Sequence, residues 1–226
     1  MTRVNPAVVA GVSLWRLAIV SSAFIGFWEY ASLQLGNLAY LTQQAAFFAG
    51  AVYLVLLVYP MVTRLQRHEP ASGGWRGAAA VLLILVSATY ATMLNGTYYD
   101  LGGFLSHLLT PLLVVLDWTF VGRNQGQCRW WHPFAWLVPP IAYLGFYLLY
   151  GELLYAFLDP SQPWFAVTVV QFLVTLLAVG YLLWGIARLK DGISRAIRRQ
   201  PASPGAPLNT AVVSGPQPWG AAGPQP

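Results

Sequence analysis

The sequence predicts an all-α, polytopic membrane protein with six transmembrane helices, and three observations lead to that prediction. Only 8% of the residues are charged while 57% are hydrophobic, whereas a soluble domain carries charge at roughly 25% of its positions. The chain also contains six long apolar runs, and its basic residues cluster at alternate ends of those runs. Lipid must therefore solvate most of the surface of this protein.

Each apolar run is close to the length of about 20 residues that a helix needs to cross a hydrocarbon core about 30 Å thick. The predicted spans are Ser13 to Leu33, Leu41 to Met61, Gly77 to Leu94, Gly103 to Val121, Pro133 to Tyr150 and Trp164 to Ala187. The domain organisation that follows is a cytoplasmic N-terminus at residues 1–12, a six-helix membrane domain at 13–190 and a cytoplasmic, Pro/Gly-rich disordered tail at 191–226.

The basic residues predict the orientation, because Lys and Arg near the ends of membrane helices mark the cytoplasmic side. All 12 of them fall before or at the start of helix 1, between helices 2 and 3, between helices 4 and 5, or after helix 6. In this interpretation Arg16 flanks the start of helix 1 and Arg76 lies between helices 2 and 3. The other three connections have no Lys or Arg. We therefore expect a multi-pass protein of the cell membrane with both ends on the cytoplasmic side.

Composition also excludes several classes of function. The single cysteine, Cys128, cannot form an intramolecular disulfide, and no Cys/His cluster has the spacing of a structural zinc site. We predict no metal and no cofactor. The net charge of +5 does not indicate nucleic-acid binding, because the arginines follow helix ends and are not interleaved with aromatic residues in a patch. The sequence does not constrain the oligomeric state.

A few polar residues inside the apolar runs are candidates for function, because an unpaired polar group in hydrocarbon costs a few kcal/mol. Helices 2 and 4 run in the same direction, so the depths of Thr42 and His107 can be compared from the rise of 1.5 Å per residue. The two lie about 3 Å and 6 Å below their helix starts. If helices 2 and 4 are neighbours, this hydroxyl and this imidazole could meet in the outer third of the membrane.

A hydroxyl beside an imidazole is the minimal unit of acyl transfer. The amides of Gln43, Gln44 and Asn37 are candidates to bind the substrate and its oxyanion. Glu29 is a further candidate to bind the substrate, and Glu29 or Asp100 could orient the histidine. A purely structural alternative remains open, because a membrane threonine often bonds its own backbone and a lone histidine often bridges two helices.

The sequence also supports predictions for two further residues of helix 4. Asp117 lies some 15 Å deeper than His107, so we expect it to pair with Arg123 or with another helix end. Pro111, one turn after His107, weakens the helix backbone and could bend helix 4 to open a cavity.

Several short motifs resemble a known family over about residues 10 to 190. These are Tyr40-Leu41-Thr42-Gln43-Gln44, His107 with Pro111, Asp117-Trp118, Trp131-His132-Pro133, Ala142-Tyr143, Gly151 and Tyr155-Ala156-Phe157-Leu158-Asp159-Pro160. They resemble the bacterial Pr6Pr membrane proteins, which are similar to the eukaryotic androgen-induced protein and androgen-dependent TFPI-regulating protein family. That resemblance implies a six-helix hydrolase of fatty acid esters of hydroxy fatty acids, with Thr42 as nucleophile and His107 as its partner.

Two functional hypotheses follow. The first is a membrane-embedded esterase that acts on a lipid or fatty-acyl ester. The second is a non-catalytic lipid-binding or transport-like protein that uses the same polar groups to hold a headgroup or a proton.

Overall fold

The computed structural model describes residues 5–33, 35–64, 67 and 69–199. Every regular element in those ranges is helical, and six helices are long and apolar enough to cross a membrane. They are α1 (Pro6–Ala31), α2 (Leu41–Val62), α3 (Gly74–Thr92), α4 (Leu101–Phe120), α5 (His132–Tyr150) and α6 (Phe165–Arg199). The predicted all-α class and the predicted number of spans are confirmed, whereas the orientation in the membrane stays a prediction.

Helix α1 begins earlier than the sequence predicted. Asn5 caps it by accepting a hydrogen bond from the Ala7 amide at 3.0 Å, and Pro6 occupies its first turn, where a missing N–H costs nothing. Arg16 therefore lies within α1 and not at its start. The prediction that Arg16 flanks this helix is wrong, because its guanidinium finds partners inside the bundle.

Helix α6 is longer than predicted, with 35 residues where a bilayer core needs about 20. It continues to Arg199, so the segment 191–199 is helical and does not belong to a disordered tail. The rest of that predicted tail, residues 200–226, lies outside the described residues.

Small side chains allow the helices to approach closely in the core. Ala45 and Ala49 of α2 and Ala79 and Ala80 of α3 are almost fully buried, as expected where interfaces in membranes are built on small residues. A Cβ atom placed on Gly77 of α3 would lie 2.2 Å from the Trp136 ring of α5. Glycine at this position is therefore what lets the indole pack against α3.

The two ends of the bundle have different chemistry. At one end, which we call the arginine end, Arg16 of α1 donates to the Leu56 carbonyl at 2.9 Å and Arg76 of α3 contacts Asp117 of α4. At the opposite end, the tyrosine end, Tyr30 of α1 donates to Asp100 at 3.1 Å. These contacts fix the relative heights of the helices and place Thr42 and His107 at the tyrosine end.

Arg76 lies in the first turn of α3, which starts at Gly74, and not in the preceding connection. The sequence predicts that Asp117 pairs either with Arg123 or with another helix end. Its contact with Arg76, at the start of α3, confirms the second of these expectations. Arg123, the other expected partner, makes a different contact: its backbone amide donates to Glu69 at 2.7 Å.

Candidate active site at the tyrosine end

Thr42 lies in the first turn of α2, and two tyrosines hold that turn in place. The Leu41 amide donates to the hydroxyl of Tyr155 at 3.0 Å, and the hydroxyl of Tyr143 donates to the Ala39 carbonyl at 3.0 Å. Both tyrosines are buried. Tyr143 of α5 and Tyr155 of the connection after it thus hold the start of α2 and restrict the position of Thr42.

The first turn of a helix leaves its amide groups without intrahelical partners. The Leu41 amide is satisfied by Tyr155, and those of Gln43 and Gln44 donate to the Tyr40 carbonyl. Neither the amide nor the hydroxyl of Thr42 makes a hydrogen bond to any residue that the structure describes. Thr42 therefore offers two free polar groups at the positive end of the α2 dipole.

His107 lies in α4 within a π-helical turn, Leu105–Leu109, a distortion that often occurs at functional sites. Pro111 explains part of this irregularity, because it has no N–H to donate to the carbonyl of residue 107. The hydroxyl of Ser87 supplies a donor to that carbonyl at 2.7 Å. The backbone of His107 is thereby held by α3 as well as by α4.

The imidazole of His107 is buried and stacks on the ring of Tyr90, with ring centroids 3.6 Å apart and an interplanar angle of 4°. Its Nδ1 atom is buried and has no hydrogen-bond partner among the described residues. Asp100, one of the two acids considered for orienting this ring, is close enough to interact with it electrostatically. An unpaired ring nitrogen in a packed setting is suited to exchanging a proton with a bound ligand.

Two cavities meet at this pair. An apolar cavity of about 80 Å³ runs between α3, α5 and α6 and is lined mainly by aliphatic and aromatic side chains. A larger cavity of about 440 Å³, here called the polar cavity, is lined by tyrosines and amides. Thr42, Leu94, His107 and Tyr155 line both cavities. The Thr42 hydroxyl and the His107 imidazole, which the sequence predicts at similar depth, therefore belong to one site.

The other predicted site residues divide into two groups. Gln43 and Asn37 line the polar cavity; Gln43 is 2% exposed and its Oε1 has no partner among the described residues, while Asn37 donates to the Tyr30 carbonyl at 2.9 Å. Gln44 and Glu29 do not line either cavity. The amide of Gln44 points to the Leu38 carbonyl at 3.5 Å, and Glu29 is exposed beside Gly102. The structure does not bring Gln44 and Glu29 to the site, so their predicted substrate-binding role is not supported.

The sequence pattern did not identify Tyr90 or Ser87, two residues of α3 that contact His107. Each is a moderately polar residue in an apolar helix, which is the pattern that drew attention to Thr42. A polar residue within an apolar helix could therefore have indicated Tyr90 and Ser87 as candidates. The pattern does not show which neighbouring residue such a side chain contacts. Within the described ranges, no group of three His, Cys, Asp or Glu side chains could hold a metal ion.

The fold and the site define a class: an all-helical, multi-pass membrane protein with a Thr–His pair where an apolar and a polar cavity meet. No family model, curated protein or solved structure matches the chain.

Proposed function

We propose that this protein is a hydrolase of the cell membrane that cleaves a lipid ester, with Thr42 as the nucleophile and His107 as the general base. One observation carries the proposal: Thr42 and His107 line the same two cavities, one apolar and one polar. A lipid ester has the matching shape, with an apolar acyl chain on one side of its carbonyl and a more polar group on the other.

In the first half of the reaction, the Thr42 hydroxyl oxygen attacks the ester carbonyl while His107 takes the hydroxyl proton. The resulting oxyanion lies at the amino-terminal end of α2, where the free amide of Thr42 is a candidate donor to it. The bond to the alcohol oxygen then breaks, and His107 returns its proton to that oxygen. The products are a free alcohol and an acyl ester on Thr42.

In the second half, water attacks the acyl-Thr42 carbonyl and His107 takes a proton from it. The ester bond to the Thr42 oxygen breaks, and the proton passes from His107 to that oxygen. A carboxylic acid leaves and the starting enzyme is restored. No cofactor or metal takes part in this sequence.

The two cavities divide the substrate between them. The apolar cavity is smaller than the cavity of about 150 Å³ that accommodates benzene, so it holds a short section of an acyl chain unless its side chains shift. Gln43 and Asn37 face the polar cavity, and the unpaired Gln43 carbonyl oxygen calls for a donor, such as a hydroxyl of the alcohol part. Glu29 and Gln44 have no role in this proposal.

The competing hypothesis is a non-catalytic lipid-binding or transport-like protein. A proton path would need a polar connection from His107 to Asp117. Neither Asp117 nor its partners Tyr53 and Arg76 line either of the two cavities, which favours the esterase. Neither hypothesis involves nucleic acid.

A fluorophosphonate probe tests the nucleophile, because an activated hydroxyl displaces its fluoride and becomes labelled. We expect labelling and ester hydrolysis in the wild type, loss of both in Thr42→Ala, and partial retention in Thr42→Ser. Thr89→Ala is the matched control, because Thr89 lines the apolar cavity but not the polar one. Equal labelling of Thr42→Ala and wild type would overturn the proposal, and lipid binding without turnover in the wild type would support the alternative.

A further inference from the structure

A third cavity, of about 200 Å³, opens at the arginine end of the bundle. Thr42 and His107 lie at the opposite end. It lies between the 3₁₀ turn Asn124–Gln127, which follows α4, and the last turns of α6. The residues of α6 that line it are Ala187, Lys190, Asp191, Ser194 and Arg195. Their spacing of three and four places them on one face of the helix, so α6 forms a continuous wall.

The opposite wall is rigid. Gln125 is 1% exposed, and its Nε2 donates to the Trp118 carbonyl at 2.9 Å while its Oε1 accepts from Arg76 at 3.3 Å. At Gly126 the turn approaches α6 so closely that a Cβ atom would lie 3.3 Å from the Asp191 side chain. The cavity is therefore a formed feature of the fold and not a gap between loosely placed side chains.

The charges around the cavity are mainly positive. Arg123, Lys190 and Arg195 contribute three positive charges and Asp191 one negative charge, a balance of +2. Asp191 already pairs with Arg195 at 3.3 Å. The acid thus holds one guanidinium at the cavity, and the lining keeps an excess of positive charge. Glu69 and Asp117, the acids outside the lining that act on Lys190, are already paired with Arg76.

The ammonium group of Lys190 is poorly satisfied by the residues around it. Its ammonium group has three donors, yet its one hydrogen bond among the described residues is a 3.5 Å contact with the Val121 carbonyl. That carbonyl also accepts from Arg76 at 2.9 Å and from Gln125 at 3.2 Å, which occupies both of its lone pairs. A half-buried ammonium with such poor partners favours an anion beside it.

The position of the cavity relative to the hydrocarbon core indicates which kinds of anion can reach it. With 35 residues, α6 is about 52 Å long, so its final turns extend past a hydrocarbon core of about 30 Å. Lys190, Ser194 and Arg195 then lie where lipid headgroups and soluble anions are both within reach. The ammonium of Lys190, the guanidinium of Arg195 and the hydroxyl of Ser194 lie together on the α6 wall, and they are the donor types that phosphate oxygens require.

We propose that this cavity is a binding site for a phosphate group, carried either by an anionic phospholipid or by a soluble phosphate. Lys190 and Arg195 neutralise the charge, and Ser194 donates to a phosphate oxygen. The site is independent of the Thr42–His107 pair.

The test uses the full chain in dodecyl maltoside micelles, which contain no phosphate, and follows the melting temperature as a probe is titrated. The probes are phosphatidylglycerol, inorganic phosphate and, as a phosphate-free lipid, diacylglycerol. We expect phosphatidylglycerol to raise the melting temperature and diacylglycerol not to do so. A rise with inorganic phosphate as well assigns recognition to the phosphate alone, and its absence assigns the lipid as the source.

Lys190→Gln should weaken the apparent affinity for phosphatidylglycerol about tenfold, as expected for the loss of one charged hydrogen-bond donor. Arg129→Gln is the matched control, because it removes a positive charge from an exposed residue at the same end that does not line the cavity. If Lys190→Gln does not fold, Arg195→Gln, which changes an exposed side chain, and Ser194→Ala carry the same expectation. Equal shifts with phosphatidylglycerol and diacylglycerol, or equal affinities for wild type and cavity variants, would overturn the proposal.

Discussion

The guanidinium of Arg76 and the carboxylate of Asp117 form an ion pair that is 1% and 0% exposed, between the first turn of α3 and the last turns of α4. The Arg76 Nε atom lies 2.9 Å from Asp117 Oδ2, and the Tyr53 hydroxyl donates to the same oxygen at 2.8 Å. The pair thus joins three helices at one point. Arg76 also contacts Asn124 and Val121 beyond the end of α4.

Removing Asp117 should destabilise the fold severely, because the buried Arg76 guanidinium then loses the carboxylate that it contacts directly and keeps, among the described residues, only Glu69, at 3.6 Å, as a counter-ion. We expect Asp117→Leu to cost about 3–5 kcal/mol. The double variant Arg76→Met with Asp117→Leu should be more stable than either single variant, since neither member of this pair is then left buried without the other. Reversible unfolding in mixed micelles measures these differences.

Tyr53→Phe is the matched control for the ion pair, because it removes only one hydrogen bond to Asp117, worth about 1 kcal/mol. If Asp117→Leu costs no more than Tyr53→Phe, the ion pair does not have the structural role assigned to it.

The stack of Tyr90 on His107 should matter for turnover if His107 is the base. Tyr90→Leu removes the ring that sets the plane of the imidazole, so we expect kcat to fall on the order of 10- to 100-fold. Tyr90→Phe keeps the ring and should retain most of the activity. Steady-state hydrolysis of a lipid ester measures both.

Tyr99→Leu is the control for the stacking prediction, because Tyr99 is 97% exposed. A Tyr90→Leu variant with wild-type kcat would show that the stack does not position the base.

Filling the apolar cavity should change the preferred acyl chain. Leu173 of α6 lines this cavity, and Leu173→Trp adds volume where the chain would lie. We expect hydrolysis of long-chain esters to fall relative to short-chain esters, visible in the ratio of kcat/KM values across a chain-length series.

Val174→Trp introduces the same side chain one residue further along α6, at a position that is 60% exposed and does not line the cavity. It should leave the ratio of long-chain to short-chain hydrolysis unchanged. An equal change in both variants would place the acyl chain elsewhere.

Asp100 should make the tyrosine end sensitive to acid. The Gly103 amide, and after it the Tyr30 hydroxyl, holds the pKa of Asp100 below its ordinary value of 3.8. Because the folded pKa lies below the unfolded one, this carboxylate contributes stability above pH 3.8, and that contribution is lost as the pH falls through the folded pKa.

Asp100→Asn keeps an acceptor for the Gly103 amide but does not titrate. Its melting temperature should therefore be below that of the wild type near neutral pH, with the gap closing in acid. A constant gap across the acid range would contradict the role given to the charge.

Some features were predictable because they depend on local chemistry. Hydropathy predicts six helices correctly, since a chain in lipid must satisfy its backbone hydrogen bonds within each segment. It misplaced the start of α1 at residue 13, whereas the helix begins at Pro6 after the Asn5 cap. Arg16 is tolerated inside the bundle because it donates to the Leu56 carbonyl and forms an ion pair with Glu69 at 3.8 Å. Both partners are distant in sequence, so no local pattern predicts them.

In the candidate site, too, some features follow from local chemistry and others depend on contacts between helices. The rise per residue determined from sequence that Thr42 and His107 lie at similar depth, because depth depends only on position along a helix. Which way each side chain faces was decided by tertiary packing. Gln43 and Gln44 are adjacent and equally polar, yet only Gln43 faces the polar cavity.

Hydropathy and helix rise were enough to predict the all-helical class, the number of spans and the relative depth of the polar groups along their helices. Three other features became evident only from the packed helices: Thr42 and His107 share two cavities, Glu29 and Gln44 lie outside them, and Arg76 pairs with Asp117. Each of these depends on the rotation of a helix about its own axis. In helices that are apolar on nearly every side, packing against the neighbouring helices sets that rotation.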